Sequence, residues 1–338
     1  MEVPWQKRSW AMLFCKALIC TLSAALLLLC GCLSVSGPVS VAPGKSETIK
    51  THIREMGFRR SYRVHMPSEV GEKRRLPLLV MLHGAFETAK SMERLTGFSD
   101  LADKERFIVV YPNGIGLFGF LQHWNAGHCC GKAQNDGIDD TAFLETVLDD
   151  VFSRFPVDEN RVYLVGHSNG GMLAYLFAAR KPGRLAGLAV VSASIGSRES
   201  GKGVWQRIAR PESGLPLLVI HGQNDETVPY DGGPSKNHKN REFTSVADAI
   251  DFWAAVNQCA GTPEQHSANK GRVSVKQWNA GSHPLVLHTI HDWAHDWPCP
   301  RVQPQAENSR ALEDYDAAGL IWRFFQSLHN PHLNAYKK

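Results

Sequence analysis

Short runs in which every residue is apolar alternate along this chain with stretches whose apolar residues recur every three or four positions. Leu76 to Leu82 is one such run, stopped by His83-Gly84, and Phe107 to Tyr111 is another, stopped by Pro112-Asn113-Gly114. Arg161 to Val165 ends in Gly166, Leu188 to Val191 in small residues, and Leu215 to Ile220 in His221-Gly222. Runs this short, apolar on both faces, predict strands of a parallel sheet covered by helices. Ser46 to Met66 alternates instead, with Tyr62, Val64 and Met66 on one side, and predicts one or two earlier strands. Leu285 to Ile290 reads as a last strand.

Helical spacing fills the gaps. Asp139-Asp140 can cap a helix running to about Phe155, with Phe143, Val147 and Val151 on one face; a cap explains this pair better than a calcium site. Gly170 to Arg180, Val246 to Val256, and the segment bearing Tyr315, Ala318, Trp322 and Phe325 complete the set. Strand–helix alternation of this kind predicts an α/β fold, a doubly wound and mostly parallel sheet with right-handed crossovers. The likeness of Leu76–Gly84 to Leu215–Gly222 reflects two buried strands under the same demands, not a repeat. With no low-complexity spacer in the way, residues 46–338 are expected to form a single domain.

The first 45 residues differ. Lys7, Arg8 and Lys16 precede an apolar run from Ala17 to Leu29, followed by Cys30, Gly31 and Cys32, the build of an export signal over residues 1–31. The run falls short of the roughly 20 apolar residues of a membrane span. Leu29-Cys30-Gly31-Cys32 resembles a bacterial lipobox, so Cys32 is the expected lipidation site and residues 32–45 a tether. Cleavage near Gly37 without lipid, or an uncleaved anchor, is the alternative. On this reading the protein is exported, to the cell envelope or beyond, and touches membrane only through a lipid. A composition of 43% hydrophobic and 21% charged residues is ordinary for a globular protein, and a net charge of +4 gives no reason to expect a nucleic-acid partner.

Export changes how the cysteines are read. Cys129, Cys130, Cys259 and Cys299 become disulfide candidates. A bond between the neighbours Cys129 and Cys130 would close a strained ring, so bonds outward to Cys259 and Cys299 are expected. Four thiols packed as small hydrophobes are the plain alternative. No metal site is expected.

Gly166-His167-Ser168-Asn169-Gly170 fits G-x-S-x-G directly after a predicted strand and at the start of a predicted helix. The pattern alone is weak, since a Gly-rich turn with a solvated serine also fits it, but the strand-to-helix context is that of a nucleophile elbow. A serine hydroxyl needs a base and a carboxylate, which in such sheets follow in the order Ser, acid, His. Asp225 follows the Leu215–Ile220 run at the strand edge where open α/β sheets place their sites. An Asx turn before Thr227 is its plain alternative, and Asp231 is a second candidate acid. His283, His288, His291 and His295 all qualify as base by order; His288 lies inside the predicted last strand, His291 and His295 on the loop beyond it. The backbone N–H of Asn169, next after the serine, is the expected first donor to an oxyanion.

Ala294-His295-Asp296-Trp297-Pro298 resembles the G-H-x-W-P loop of the esterase/polyhydroxybutyrate depolymerase family of α/β-hydrolases, which includes feruloyl and acetylxylan esterases. The resemblance extends from about Arg60 to His329, through Arg60-Ser61-Tyr62, Leu82-His83-Gly84, Cys129-Cys130-Gly131, Ile138-Asp139-Asp140, Gly166–Gly171, His221-Gly222 to Val228-Pro229-Tyr230, and Ile321-Trp322 with Phe324-Phe325. Ala294 stands where the family usually has Gly, and Cys299 where it has Gly after the Pro. The resemblance implies an α/β-hydrolase fold and a Ser168, Asp225, His295 triad, choosing His295 over His291. It also implies Ala85, after His83-Gly84, as the second oxyanion donor.

The implied function is an exported serine esterase acting through an acyl-enzyme on a small or oligomeric carboxylic ester. It needs no cofactor and leaves the oligomeric state open. Polyhydroxyalkanoate oligomers, feruloylated or acetylated plant polysaccharide and small aryl esters are the substrates the resemblance offers. Trp124, at the edge of the Cys129-Cys130 loop, either stacks on a substrate acyl group or fills the core. A serine peptidase of the same fold is one rival, without a propeller or cap domain to support it. A non-catalytic envelope lipoprotein using the fold as a binding scaffold is the other, and three triad positions on separate loops speak against it.

Overall fold

The computed structural model describes residues 41–55, 57–71, 75–116, 119–300, 312 and 314–328. The signal-like segment, Cys32 and most of the tether lie outside them. In chain order the strands are Lys45–Glu55 (β1), Phe58–Met66 (β2), Leu76–Leu82 (β3), Ile108–Pro112 (β4), Val157–His167 (β5), Gly187–Val191 (β6) and Gly196–Glu199 (β7). Gln206–Arg207 (β8), Leu217–Gly222 (β9), Gly233–Pro234 (β10), Arg241–Phe243 (β11), Glu264–Ala268 (β12), Val273–Trp278 (β13) and Leu285–Ile290 (β14) follow. The helices are Ala89–Thr96 (α1), Phe98–Glu105 (α2), Gly131–Asn135 (α3), Asp140–Arg154 (α4), Asn169–Arg180 (α5), Val246–Val256 (α6) and Ala317–Ser327 (α7).

Ten strands form one sheet in the order β1-β2-β4-β3-β5-β6-β9-β14-β13-β12, parallel from β4 to β14 and antiparallel at both flanks. The wholly apolar runs become its middle: every residue of β3, β4, β6, β9 and β14 is buried. Such strands need cover on both faces, and the sheet is wound accordingly. Leu78, Val80 and Leu82 of β3 meet Phe143 and Val147 of α4, Leu173 of α5 and Trp253 of α6 in one core. Leu79 and Met81 face the other way, into a second core with Met92 of α1, Phe98 of α2 and Ile321 and Phe325 of α7. Strands β10, β11, β7 and β8 make a separate small sheet. Among the described residues no helix is long and apolar enough to cross a membrane.

The Asp139-Asp140 pair divides its work. Asp139 caps α4, its side chain accepting the Ala142 N–H at 3.0 Å. Asp140 turns inward, accepting from Arg60 Nη2 at 2.6 Å and from the Asn125 N–H at 2.7 Å, with both charged side chains at most 1% exposed. The Arg60 guanidinium lies 3.7 Å from the centre of the Phe143 ring and also pairs with Glu55. This buried pair anchors the Trp124–Ala126 loop to the sheet, next to the strand ends that carry the site.

The two faces also separate the cysteines, and here the expected outward disulfides are corrected. Cys129 is bonded to Cys130, while Cys259 and Cys299 are free thiols. Cys129 belongs to the α4–α5–α6 core, but Cys299 is buried in the core on the opposite face, with its Sγ 3.9 Å from the Leu95 carbonyl. Cys259 shares the face of Cys129 yet sits beyond the end of α6, beside Asn257, which bonds Leu215 at the start of β9. That is the opposite edge of the sheet from Trp124.

Two measurements follow from this packing. Asp140→Ala leaves the buried Arg60 charge with Glu55 and the Asn113 carbonyl only, and should cost up to about 3 kcal/mol of stability in urea unfolding. Combining it with Arg60→Met should recover a good part, whereas a loss no larger than that of a surface substitution contradicts the anchor. Alkylation of the denatured, unreduced protein followed by peptide mapping should label Cys259 and Cys299 and leave Cys129 and Cys130 unlabelled.

Candidate active site

Strand β5 passes into α5 through Ser168, whose backbone is held at φ 53°, ψ −123°. A non-glycine residue in that region costs on the order of 1–3 kcal/mol and persists only where its surroundings over-determine it. They do so here. The Ser168 N–H donates to the Val191 carbonyl of β6 at 2.9 Å, and its own carbonyl accepts from the Met172 N–H at 3.0 Å. A Cβ at Gly166 would collide with the Gly170 carbonyl, and one at Gly170 with the carbonyls of Leu82 and His83. The two glycines of the motif thus let α5 lie backbone-to-backbone on the end of β3.

From this elbow Ser168 Oγ reaches His295 Nε2 at 2.7 Å, and His295 Nδ1 reaches Asp225 Oδ2 at 2.7 Å. The carboxylate can only accept, so Nδ1 carries the imidazole proton and the Nε2 lone pair faces the serine hydroxyl. Asp225 Oδ1 takes the N–H groups of Thr227 and Val228 at 2.8 Å each, and His221 Nε2 stands 3.3 Å from Oδ2. Burial pushes the Asp225 carboxyl up, but His295 and His221 outweigh it and hold it well below the usual carboxylate range. The acid stays ionised, and the array can take a proton from Ser168 and hold the resulting imidazolium.

The other candidates lie elsewhere. His291 is engaged by Ser274 Oγ at 2.7 Å and Gln223 Oε1 at 3.1 Å. His288 is buried in β14 with Nδ1 3.2 Å from the Tyr315 hydroxyl, His283 contacts Ser282, and Asp231 is exposed.

Two backbone N–H groups lie near the serine. Asn169 heads α5, where a helix leaves its first donors without partners. Ala85 follows Gly84, whose Cβ position would be 3.4 Å from Ser168 Cβ. Neither N–H has an acceptor among the described residues.

Several side chains that brace these loops were not singled out from the sequence. His83 Nδ1 donates to the Gly84 carbonyl at 2.7 Å while Nε2 accepts the Gly114 N–H at 3.0 Å; burial pulls its pKa down to about 4 and keeps it neutral. The Asn169 side chain clasps the Trp124 backbone, accepting its N–H at 2.7 Å and donating to its carbonyl at 3.0 Å. Glu87 accepts the Gly84 N–H at 2.6 Å, and His167 Nε2 lies 3.1 Å from the His295 carbonyl. None of these contacts joins residues at a spacing that a motif or a period would reveal, except that His83 and His167 sit inside runs already quoted.

Trp124 fills the core. It is fully buried, its ring lies against His83 at 4.7 Å and Phe143 at 6.5 Å, and Nε1 donates to the His83 carbonyl at 2.9 Å. A substrate acyl group cannot stack on it.

The chain matches the family described as Esterase PHB depolymerase over residues 60–234, a span that includes Ala85, Ser168 and Asp225 and ends before His295. NocK of Nocardia uniformis subsp. tsuyamanensis, an esterase by name, is 31% identical over 261 residues, 72% of each chain. Feruloyl esterase B of Piromyces equi is 29% identical over 235 residues, 69% of this chain but only 42% of that longer protein. An acetyl xylan esterase structure from Aspergillus awamori superposes with a TM-score of 0.54 at 14% identity, covering 75% of this chain and 95% of that one. That likeness shows a shared α/β-hydrolase fold. The chain belongs to the esterase/polyhydroxybutyrate depolymerase family of carboxylic ester hydrolases.

Proposed function

We propose that the protein is a serine esterase in which Ser168, His295 and Asp225 are the triad. The observation that carries this is the pair of 2.7 Å hydrogen bonds linking the three side chains from an elbow serine to a buried carboxylate. Ser168 Oγ adds to the ester carbonyl as its proton passes to His295 Nε2. The N–H groups of Asn169 and Ala85 take the negative charge that develops on the carbonyl oxygen. His295 then returns the proton to the departing alkoxide, leaving an acyl-enzyme, and a water molecule repeats the cycle to release the acid.

Exposed apolar residues next to the loop that carries Ala85 support an ester with an apolar or aromatic acyl part. Phe86, Phe120 and Leu121 are 59%, 70% and 53% exposed, and Phe86 follows Ala85 directly. The Phe86 N–H bonds the Gln122 carbonyl at 2.8 Å, which brings the backbone of Phe120–Gln122 beside the loop that carries Ala85. The first 32 residues support a location outside the cytoplasm with a lipid on Cys32.

Ser168→Ala or His295→Ala should reduce turnover of p-nitrophenyl butyrate by about 10⁴ or more with the fold intact, and Asp225→Asn by a similar factor through the wrong His295 tautomer. Near-normal turnover in purified Ser168→Ala removes the reading; loss in His291→Ala but not His295→Ala reassigns the base. Methyl ferulate and p-nitrophenyl butyrate should be hydrolysed faster than p-nitrophenyl acetate, and Phe86→Ser should narrow that gap. Cys32→Ser should abolish labelling by a fatty-acid probe in a bacterial host without altering turnover.

A further inference from the structure

His167, the variable residue before the serine in the motif, is buried between two loops that the triad does not connect. Its Nε2 is 3.1 Å from the His295 carbonyl, and since a carbonyl can only accept, Nε2 carries a proton. Its Nδ1 is buried without a hydrogen-bond partner and faces Glu87 Oε2 at 3.9 Å. A neutral ring would aim the Nδ1 lone pair at a carboxylate; an imidazolium aims an N–H at it. Only the second is attractive, and with His167 buried the attraction is little screened.

The other oxygen-bound contact of Glu87 is the Gly84 N–H, at 2.6 Å. Gly84 precedes Ala85, and the carbonyl of the peptide that joins them is held by His83 Nδ1 at 2.7 Å. With that carbonyl and the preceding N–H both fixed, the direction of the Ala85 N–H is fixed as well, because the peptide is planar.

We propose that Glu87 and His167 form a partly buried ion pair that positions the oxyanion loop against the loop of the base. The chain of contacts runs from Gly84 N–H to Glu87, across to His167, and on to the backbone of His295. It ties together the loop after β3, the elbow after β5 and the loop after β14. Both are positioning residues, acting through Ala85 and His295, and the inference rests on the esterase reading above.

The charges around the ring agree. Burial pulls the His167 pKa down, but Glu87, with help from the His295 carbonyl and Asp225, raises it above the ordinary histidine value. Burial likewise raises Glu87, and His167 and the Gly84 N–H outweigh that to lower it. The His295 ring and the edge-on Trp297 ring also lie against it. A raised histidine pKa means the pair is complete below the ordinary histidine value and is lost as pH rises through the folded-state value. Turnover should therefore fall on the alkaline side.

The test uses the full chain with Glu87→Gln, which keeps an acceptor for Gly84, and His167→Gln, which keeps a donor for His295. Each should lower kcat by about ten- to a hundredfold with KM little changed, because the donors are misdirected and the substrate still binds. The double variant should be no slower than the worse single, and the alkaline fall should disappear in His167→Gln. Independently of any variant's folding, nitrogen NMR of the histidine-labelled native protein should show a doubly protonated imidazole that persists above the ordinary histidine pKa. That signal should be absent in His167→Gln. Neutral rings throughout, or unaltered kcat in Glu87→Gln, would overturn the ion pair. Ser168→Ala in the same assay separates the two ideas: retained turnover there sinks the esterase reading itself, whereas its loss beside fully active Glu87→Gln sinks only the ion pair.

Discussion

A serine forced into a left-handed backbone conformation is affordable only in the middle of something rigid, and the arrangement of this molecule follows from that requirement. Ser168 sits at the end of β5, a central strand flanked by β3 and β6. Its N–H is held by β6, and α5 departs so close to β3 that Gly166 and Gly170 have no room for a side chain. The strain is local, while the burial that offsets it is spread over both cores. Once the elbow is fixed, the C-terminal ends of β3, β9 and β14 carry Ala85, Asp225 and His295 to its side, with His295 on Ser168 Oγ and Asp225 on His295.

Much of this frame was legible in the residues. Strands buried on both faces leave an unbroken apolar run, and β3, β4, β6, β9 and β14 fall where such runs lie. β7, β8, β10 and β11, of two to four residues, left no such mark because pairing with one another, rather than any pattern of their own, makes them strands. β12 is mostly exposed and polar and was equally silent. Ser168 and Asp225 were readable because turn chemistry and strand ends are local features. The candidate base was not, since four histidines satisfied the order; only the family resemblance chose among them. In the structure His291 lies just beyond the same strand, yet Ser274 and Gln223 already hold both of its ring nitrogens.

What escaped the sequence has a common cause, which is that sheet faces and edges are decided by tertiary placement. Trp124 lies on a loop near the site, and loop tryptophans near sites invite a substrate role. Yet Asn169 clasps its backbone and Arg60 and Asp140 anchor the residues around it, so its ring turns into the core. Glu87 and His167 stand in loops that only the folded sheet brings together, so no spacing rule connects them.

The position of Cys299 carries a consequence of a different kind. It lies four residues beyond His295, yet it packs on the face of the sheet opposite the Cys129–Cys130 pair. Thiol–disulfide exchange between them would have to pass through the sheet. The base loop is therefore moored by packing, with Trp293 and Trp297 buried beneath it, and not by a covalent link. An electron donor or acceptor outside the protein has no lever on His295 through that loop. Oxidising and reducing surroundings are therefore equivalent for this mooring.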